Sequence, residues 1–105
     1  MSSIFTKIIA REIPADIVYE QDNIIVIRDI NPQAKTHLLI IPKKEIPTLN
    51  DINKDDKELM SDMFMVAKKV AHDLEINEWY SLRLNVWEKW GQEVFHMHMH
   101  LLSNI

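Results

Sequence analysis

The chain has 105 residues, enough for one modest hydrophobic core and too few for two, so residues 1–105 are expected to form one domain. With 47% hydrophobic and 27% charged residues, its composition is that of a folded globular protein rather than a disordered one. A net charge of −4 gives no global attraction to nucleic acid or anionic lipid, and the absence of cysteine excludes disulfides, thiolate chemistry and cysteine-ligated zinc.

The opening stretch "MSSIFTKIIAREIPADI" carries charges inside its apolar part, and no apolar run approaches the roughly 20 residues that span a bilayer. Neither a membrane segment nor a secretory signal is expected, and a cytoplasmic location fits. Within this stretch Ile4, Phe5, Ile8 and Ile9 recur at helical spacing, with Ser2 or Ser3 as N-cap and Pro14 stopping the pattern. A short amphipathic helix over residues 3–11 follows.

Three β-branched runs come next: "DIVYE" at 16–20, "NIIVIRD" at 23–29 and "THLLIIP" at 36–42. Their short polar connections predict an antiparallel meander. Leu59, Met63, Val66, Val70 and Leu74 then fall three or four apart behind Asn53, which predicts a long helix over 54–74 with Lys57, Asp62 and Lys69 facing water. His72, near its C-terminal end, reads as a surface residue favoured by the helix dipole. Lys43 and Lys44 read as a solvated turn rather than part of a site.

Two more strands, "YSLRLNV" at 80–86 and residues 94–102, are split by "WEKWGQE", which holds the only glycine, Gly91. Strands before and after one long helix make an α+β domain with a helix-covered antiparallel sheet.

The last strand contains "FHMHMHLL" at 95–102, with three of the five histidines. Period-two alternation puts His96, His98 and His100 on one face and Met97, Met99 and Leu101 on the other. Three readings of the row stand: a solvated polar face, a metal site, and nucleophilic or acid–base chemistry. Zinc requires ligands converging at about 2.0–2.1 Å, so His96 and His100 are too far apart along a strand to serve together, though two of the row with His37 could converge.

The pattern His96-Met97-His98-Met99-His100-Leu101-Leu102 resembles the signature of the histidine triad family, in which histidines alternate with apolar residues. "RDINPQAKTHLLIIPKKEI" at 28–46 and "GQEVFHMHMHLL" at 91–102 resemble the two blocks of that family's nucleotide-binding, nucleoside phosphoramidase branch, and the resemblance runs over residues 4–102. It implies a five-stranded antiparallel sheet with one long and one short N-terminal helix, continued across a homodimer. It also implies hydrolysis of a purine nucleoside phosphoramidate, or a related adenylate, through a nucleotidyl-histidine intermediate.

Carried over by position, His98 is the nucleophile, and His96 and His100 orient it, bind phosphate oxygens and assist the leaving group. His37 matches the additional site histidine. Asp29 matches the carboxylate that accepts from ribose hydroxyls, Ile27 and Ile30 the base slot, and Asn85, Gly91, Gln92 and Val94 the surroundings of the phosphate. The implied chemistry requires no cofactor; zinc at the histidines is the alternative it does not favour. A purine nucleotide and a second copy of the chain are the implied partners, with neither nucleic acid nor membrane.

Two departures stand out. "NVWEKWGQ" places Trp87 and Trp90 where the family pattern has glycines, so a positive φ there would be strained, and the rings could cover the site, stack on a ligand or fill the pocket. "SNI" stands where the family has a Gly-Gly turn and a C-terminal extension, which bears on substrate selection and dimer geometry. An active nucleotidyl hydrolase therefore competes with a nucleotide-binding or protein-interaction module; His37, Asp29 and the whole triad favour the enzyme.

Overall fold

The computed structural model describes residues 2–105. Helix α1 spans Ile4–Ile9, strands β1, β2 and β3 span Ile17–Glu20, Ile24–Arg28 and Thr36–Pro42, and helix α2 spans Lys57–Asp73. Strands β4 (Ser81–Arg83) and β5 (Met99–Ser103) complete the chain.

The strands form one antiparallel sheet in the order β1-β2-β3-β5-β4, so the predicted meander holds and β5 inserts between β3 and the edge strand β4. Both faces are covered. Ile24, Val26, Leu38, Ile40, Met97, Met99 and Leu101 pack with Met63, Val66 and Val70 of α2. Ile25, Ile27, Leu39 and Ile41 pack on the opposite face with Phe5 and Ile8 of α1. Two-sided burial explains why β2 and β3 read as almost unbroken apolar runs.

The elements are shorter than the apolar patterns that announce them. Helix α1 stops at Ile9 because Ala10 is followed by Arg11 at φ 64°, and Glu12 N–H then closes on the Lys7 carbonyl at 2.9 Å. Glu75, at φ 60°, does the same for α2, where Ile76 N–H bonds the Ala71 carbonyl. Asn53 caps a separate 3-10 turn, Lys54–Asp56, and α2 begins only after it.

Two surface expectations also change. Asp62 is half-buried and accepts from Asn23 Nδ2 at 2.9 Å rather than facing water. Lys43 and Lys44 pair with Glu20 at 2.8 Å and Asp56 at 2.6 Å, so this turn is tied to the fold rather than merely solvated. His72 is exposed, as its place near the end of α2 predicts.

Candidate active site

Register decides which histidines meet. Leu39 lies opposite His100 and His37 opposite Leu102, so His37 and His100 are diagonal neighbours on one face. His37 Nε2 lies 2.8 Å from His100 Nδ1, and the His98 and His100 ring centroids are 5.0 Å apart. The alternation is correct, but its strand is not: β5 begins at Met99, leaving His96 and His98 on an irregular approach outside the ladder. Nor is the row a solvated face. His96 is fully buried, and His98 and His100 are each 8% exposed. Phe5 of α1 stands edge-on to His96 and His98, with centroids 5.8 and 5.0 Å away.

The hydrogen-bond partners assign the tautomers. His98 Nδ1 is 2.8 Å from the His96 carbonyl oxygen, which can only accept, so Nδ1 carries the proton and Nε2 keeps a free lone pair. Gln33 N–H donates to His37 Nδ1 at 3.0 Å, so His37 Nε2–H donates to His100 Nδ1, which leaves the His100 proton on Nε2. His96 donates Nε2–H to the Pro42 carbonyl at 2.6 Å and accepts at Nδ1 from Ser3 Oγ at 2.7 Å. No buried side-chain nitrogen or oxygen among the described residues lacks a partner.

Burial disfavours the protonated form of all four rings. Desolvation is the largest influence on each and pushes His37, His96 and His98 below the ordinary histidine value. His100 is pushed to about 4 by burial, then by charge on His98, His37 and Arg83. A neutral imidazole with Nδ1 protonated and Nε2 free is the nucleophilic form at pH 7.

Asp29 follows β2 and is drawn to the row by its N–H bond to the His37 carbonyl at 2.9 Å. Its carboxylate accepts from Asn31 N–H at 2.8 Å and lies 3.4 Å from His37 Nε2, with lone pairs to spare at a side chain 20% exposed. Ile27 is buried on the histidine face, Val94 is half-buried against the same cluster, and Ile30 is almost fully exposed.

The loop between β4 and the histidines divides its residues differently. Gln92 is buried, and its amide is fully engaged: it accepts from Trp87 N–H and donates to the Pro47 and Val94 carbonyls. It is the loop's anchor. Asn85 Nδ2 is 3.5 Å from the Gly91 carbonyl, and Gly91 takes φ 93°, where an L side chain would be strained, although a Cβ there would make only an ordinary contact with Asn85 Nδ2 at 3.4 Å. Trp87 takes φ 75° and ψ 153°, a region nearly reserved for glycine. Its ring is 55% exposed and edge-on to Phe95, while Trp90 is 82% exposed. Neither ring fills the histidine pocket, which removes that alternative.

Asp29, His37 and His100 bring one ligand atom each within 4.8 Å of one another. Two nitrogens on a tetrahedral zinc lie about 3.3 Å apart given its bond lengths. The 2.8 Å separation of His37 and His100 is that of a hydrogen bond, which a metal would have to open.

Several contributors carry no local sequence signal. Ser3 reads as a helix cap, yet it also holds His96 across 93 residues. Arg83 lies directly opposite His100 on β4 and bonds Gln33 at 3.1 Å; the shared period-two face with Ser81 is its only trace in the sequence.

The family model described as "Scavenger mRNA decapping enzyme C-term binding" matches residues 2–105. A purine nucleoside phosphoramidase of Escherichia coli K12 is 50% identical over 102 residues, covering 96% of this chain and 86% of that protein. A HIT family hydrolase from Legionella pneumophila superposes with a TM-score of 0.95 at 50% identity, covering 99% of this chain and 94% of that one. One from Clostridium thermocellum gives 0.94 at 43% identity, covering 99% and 91%. With its buried histidine row and these relatives, the chain belongs to the histidine triad superfamily and is an enzyme of that family.

Proposed function

We propose that the protein hydrolyses purine nucleoside phosphoramidates, and related acyl or aminoacyl adenylates, through a nucleotidyl-histidine intermediate. The observation that carries this reading is the bond from His98 Nδ1–H to the His96 carbonyl, which leaves Nε2 as the one free nucleophilic nitrogen of a desolvated ring. The E. coli phosphoramidase, identical at half of the aligned positions, supports the substrate class.

In the first step the His98 Nε2 lone pair bonds to the α-phosphorus as the phosphorus–nitrogen bond to the leaving amine breaks, and the amine takes a proton from solvent. The His96 carbonyl steadies the positive charge then shared by the His98 ring. His100 Nε2–H donates to a phosphoryl oxygen as charge develops, fixed in that tautomer by His37. Water next attacks phosphorus, the Nε2–phosphorus bond returns its electron pair to His98, and the monophosphate leaves with a proton released to solvent.

Asp29 accepts from the ribose hydroxyls, Ile27 and Ile30 flank the base, and the loop anchored by Gln92 brings Asn85 and Gly91 beside the phosphate together with Val94. The inferred partner is a second copy. Strand β4 is a sheet edge, and beside it Phe64, Met60, Leu82 and Leu84 line an apolar groove that a sheet continued across a dimer would cover.

The test is turnover of a fluorogenic adenosine phosphoramidate by wild-type protein and by His98→Asn, each with and without chelator. Chelator-insensitive hydrolysis that vanishes in the variant is expected. Turnover surviving in His98→Asn would overturn the nucleophile, and AMP binding without turnover in the wild type would overturn the hydrolase.

A further inference from the structure

The nucleophile's tautomer depends on a carbonyl that the sheet does not hold. His96 precedes β5, and along this irregular approach the backbone is tied by Met97 N–H to the Ile46 carbonyl at 2.7 Å. The same peptide is further restrained by the buried Met97 side chain and by the His96 ring, which is clamped at both nitrogens between the end of β3 and the start of α1.

The clamp on the α1 side extends outward. Ser3 Oγ, 2.7 Å from His96 Nδ1, also accepts Thr6 N–H at 3.0 Å as the helix cap. Thr6 Oγ1 lies 3.4 Å from His96 Nδ1 and 3.3 Å from Ser3 Oγ, and it donates to Glu45 Oε1 at 2.5 Å. The same carboxylate oxygen accepts Ser3 N–H at 2.9 Å. Glu45 thus ties the first turn of α1 to the segment after β3, and the two hydroxyls tie that turn to His96.

We propose that Ser3, Thr6 and Glu45 are positioning residues for His98, acting through the His96 ring to hold the carbonyl that fixes the nucleophile's proton on Nδ1. This rests on His98 being the nucleophile. The chain also works in either direction without orphaning a group. With neutral His96, Ser3 donates to Nδ1 and Thr6 donates to Glu45. With a proton on Nδ1, the ring donates to Ser3, Ser3 rotates to donate to Thr6, and Thr6 still donates to Glu45. The clamp therefore survives whichever charge His96 carries as the anionic substrate enters and the monophosphate leaves.

A merely structural role predicts something different, because glycine is nearly as good an N-cap as serine whereas alanine is not. Ser3→Gly keeps most of the cap and removes the hydroxyl; Ser3→Thr keeps both. The measurement is the ring nitrogen resonances of His98 in the full-length protein labelled with 15N-histidine, alongside kcat and KM for the adenosine phosphoramidate. A single Nδ1–H tautomer is expected for wild type and Ser3→Thr, and a mixed population for Ser3→Gly. Its kcat should fall about tenfold with KM changed less than about twofold, as expected for loss of alignment rather than of binding. Glu45→Gln, which keeps an acceptor but removes the charge, should lose about threefold in kcat by the same argument. A wild-type His98 spectrum in Ser3→Gly would overturn the proposal and leave Ser3 a helix cap. Because the spectrum is read without substrate, failure of the phosphoramidase reading would appear separately, as absent turnover in the wild type.

Discussion

The histidine row and the tryptophan loop lie next to each other in the chain and are built on opposite terms. In the row, each hydrogen-bonded nitrogen of His37, His96, His98 and His100 has a defined partner, the rings are at most 8% exposed, and the geometry follows from strand register and the α1 cap. In the loop, Trp87 sits in backbone territory suited to glycine, two large rings face solvent, and one buried glutamine anchors the turn. Strain of this kind costs about 1–3 kcal/mol and persists only where surrounding bonds over-determine the backbone. Here Trp87 N–H is held by Gln92 Oε1 at 2.8 Å, and its carbonyl accepts from Trp90 and Gln92 N–H at 3.1 and 3.2 Å. The histidines occupy the satisfied region, and the tryptophans that replace the family pattern's glycines occupy the strained one.

The sharpest way to break this division is at His98. Replacing it with Asn should reduce kcat by at least about 10³-fold while leaving the unfolding midpoint and AMP affinity nearly unchanged, since it removes bond-forming capacity and little packing. A loss confined to KM would place the nucleophile elsewhere.

Acid should weaken the row. The unfolded chain takes up protons on its histidines below about 6.5, whereas the folded rings resist, His100 down to about 4. Between those values the unfolded state binds more protons, so stability falls as pH falls; above about 6.5 it is level. Glu20, Glu45 and Asp56, whose carboxylates are held below their ordinary range, begin to contribute only at lower pH. Urea midpoints at pH 7.5, 6 and 5 should therefore decline, and a level series would mean that the folded rings take up protons over the same range as the unfolded chain.

The loop gives a smaller and opposite-looking effect. At Trp87, Gly should be more stable than Ala by about 1–2 kcal/mol, reversing the usual order, because only glycine relieves the positive φ. Both variants lose the edge contact with Phe95, so that contact cancels in the comparison. Equal melting temperatures would show the loop to be unstrained. Smallest of all, Trp90→Ala should change stability by less than about 0.5 kcal/mol, since its ring is 82% exposed. Its effect on kcat/KM for substrates with bulky leaving groups would then report ligand contact without a folding contribution.

Much was legible in the residues themselves. Alternation in "HMHMH" put the histidines and methionines on opposite faces, helical spacing placed α2, and the β-branched runs placed β1 to β3, because periodicity is a local property of the chain. The glycine-like demand at Trp87 was foreseeable from its position in the loop. Boundaries were less so: α1 and α2 end on left-handed Arg11 and Glu75, where neither residue type announces a cap.

What only the tertiary structure decided is how these local pieces act on one another. The sequence alone determined that three imidazoles share a face, that Ser3 or its neighbour caps a helix, and that tryptophans occupy a tight turn. Register decided that His37 reaches His100, packing decided that α1 seals the row and disfavours its protonation, and the α1 cap decided what holds His96. The physical reason is distance along the chain: a contact between residues 3 and 96 leaves no periodicity in either segment, and exists only once two remote elements have been packed together.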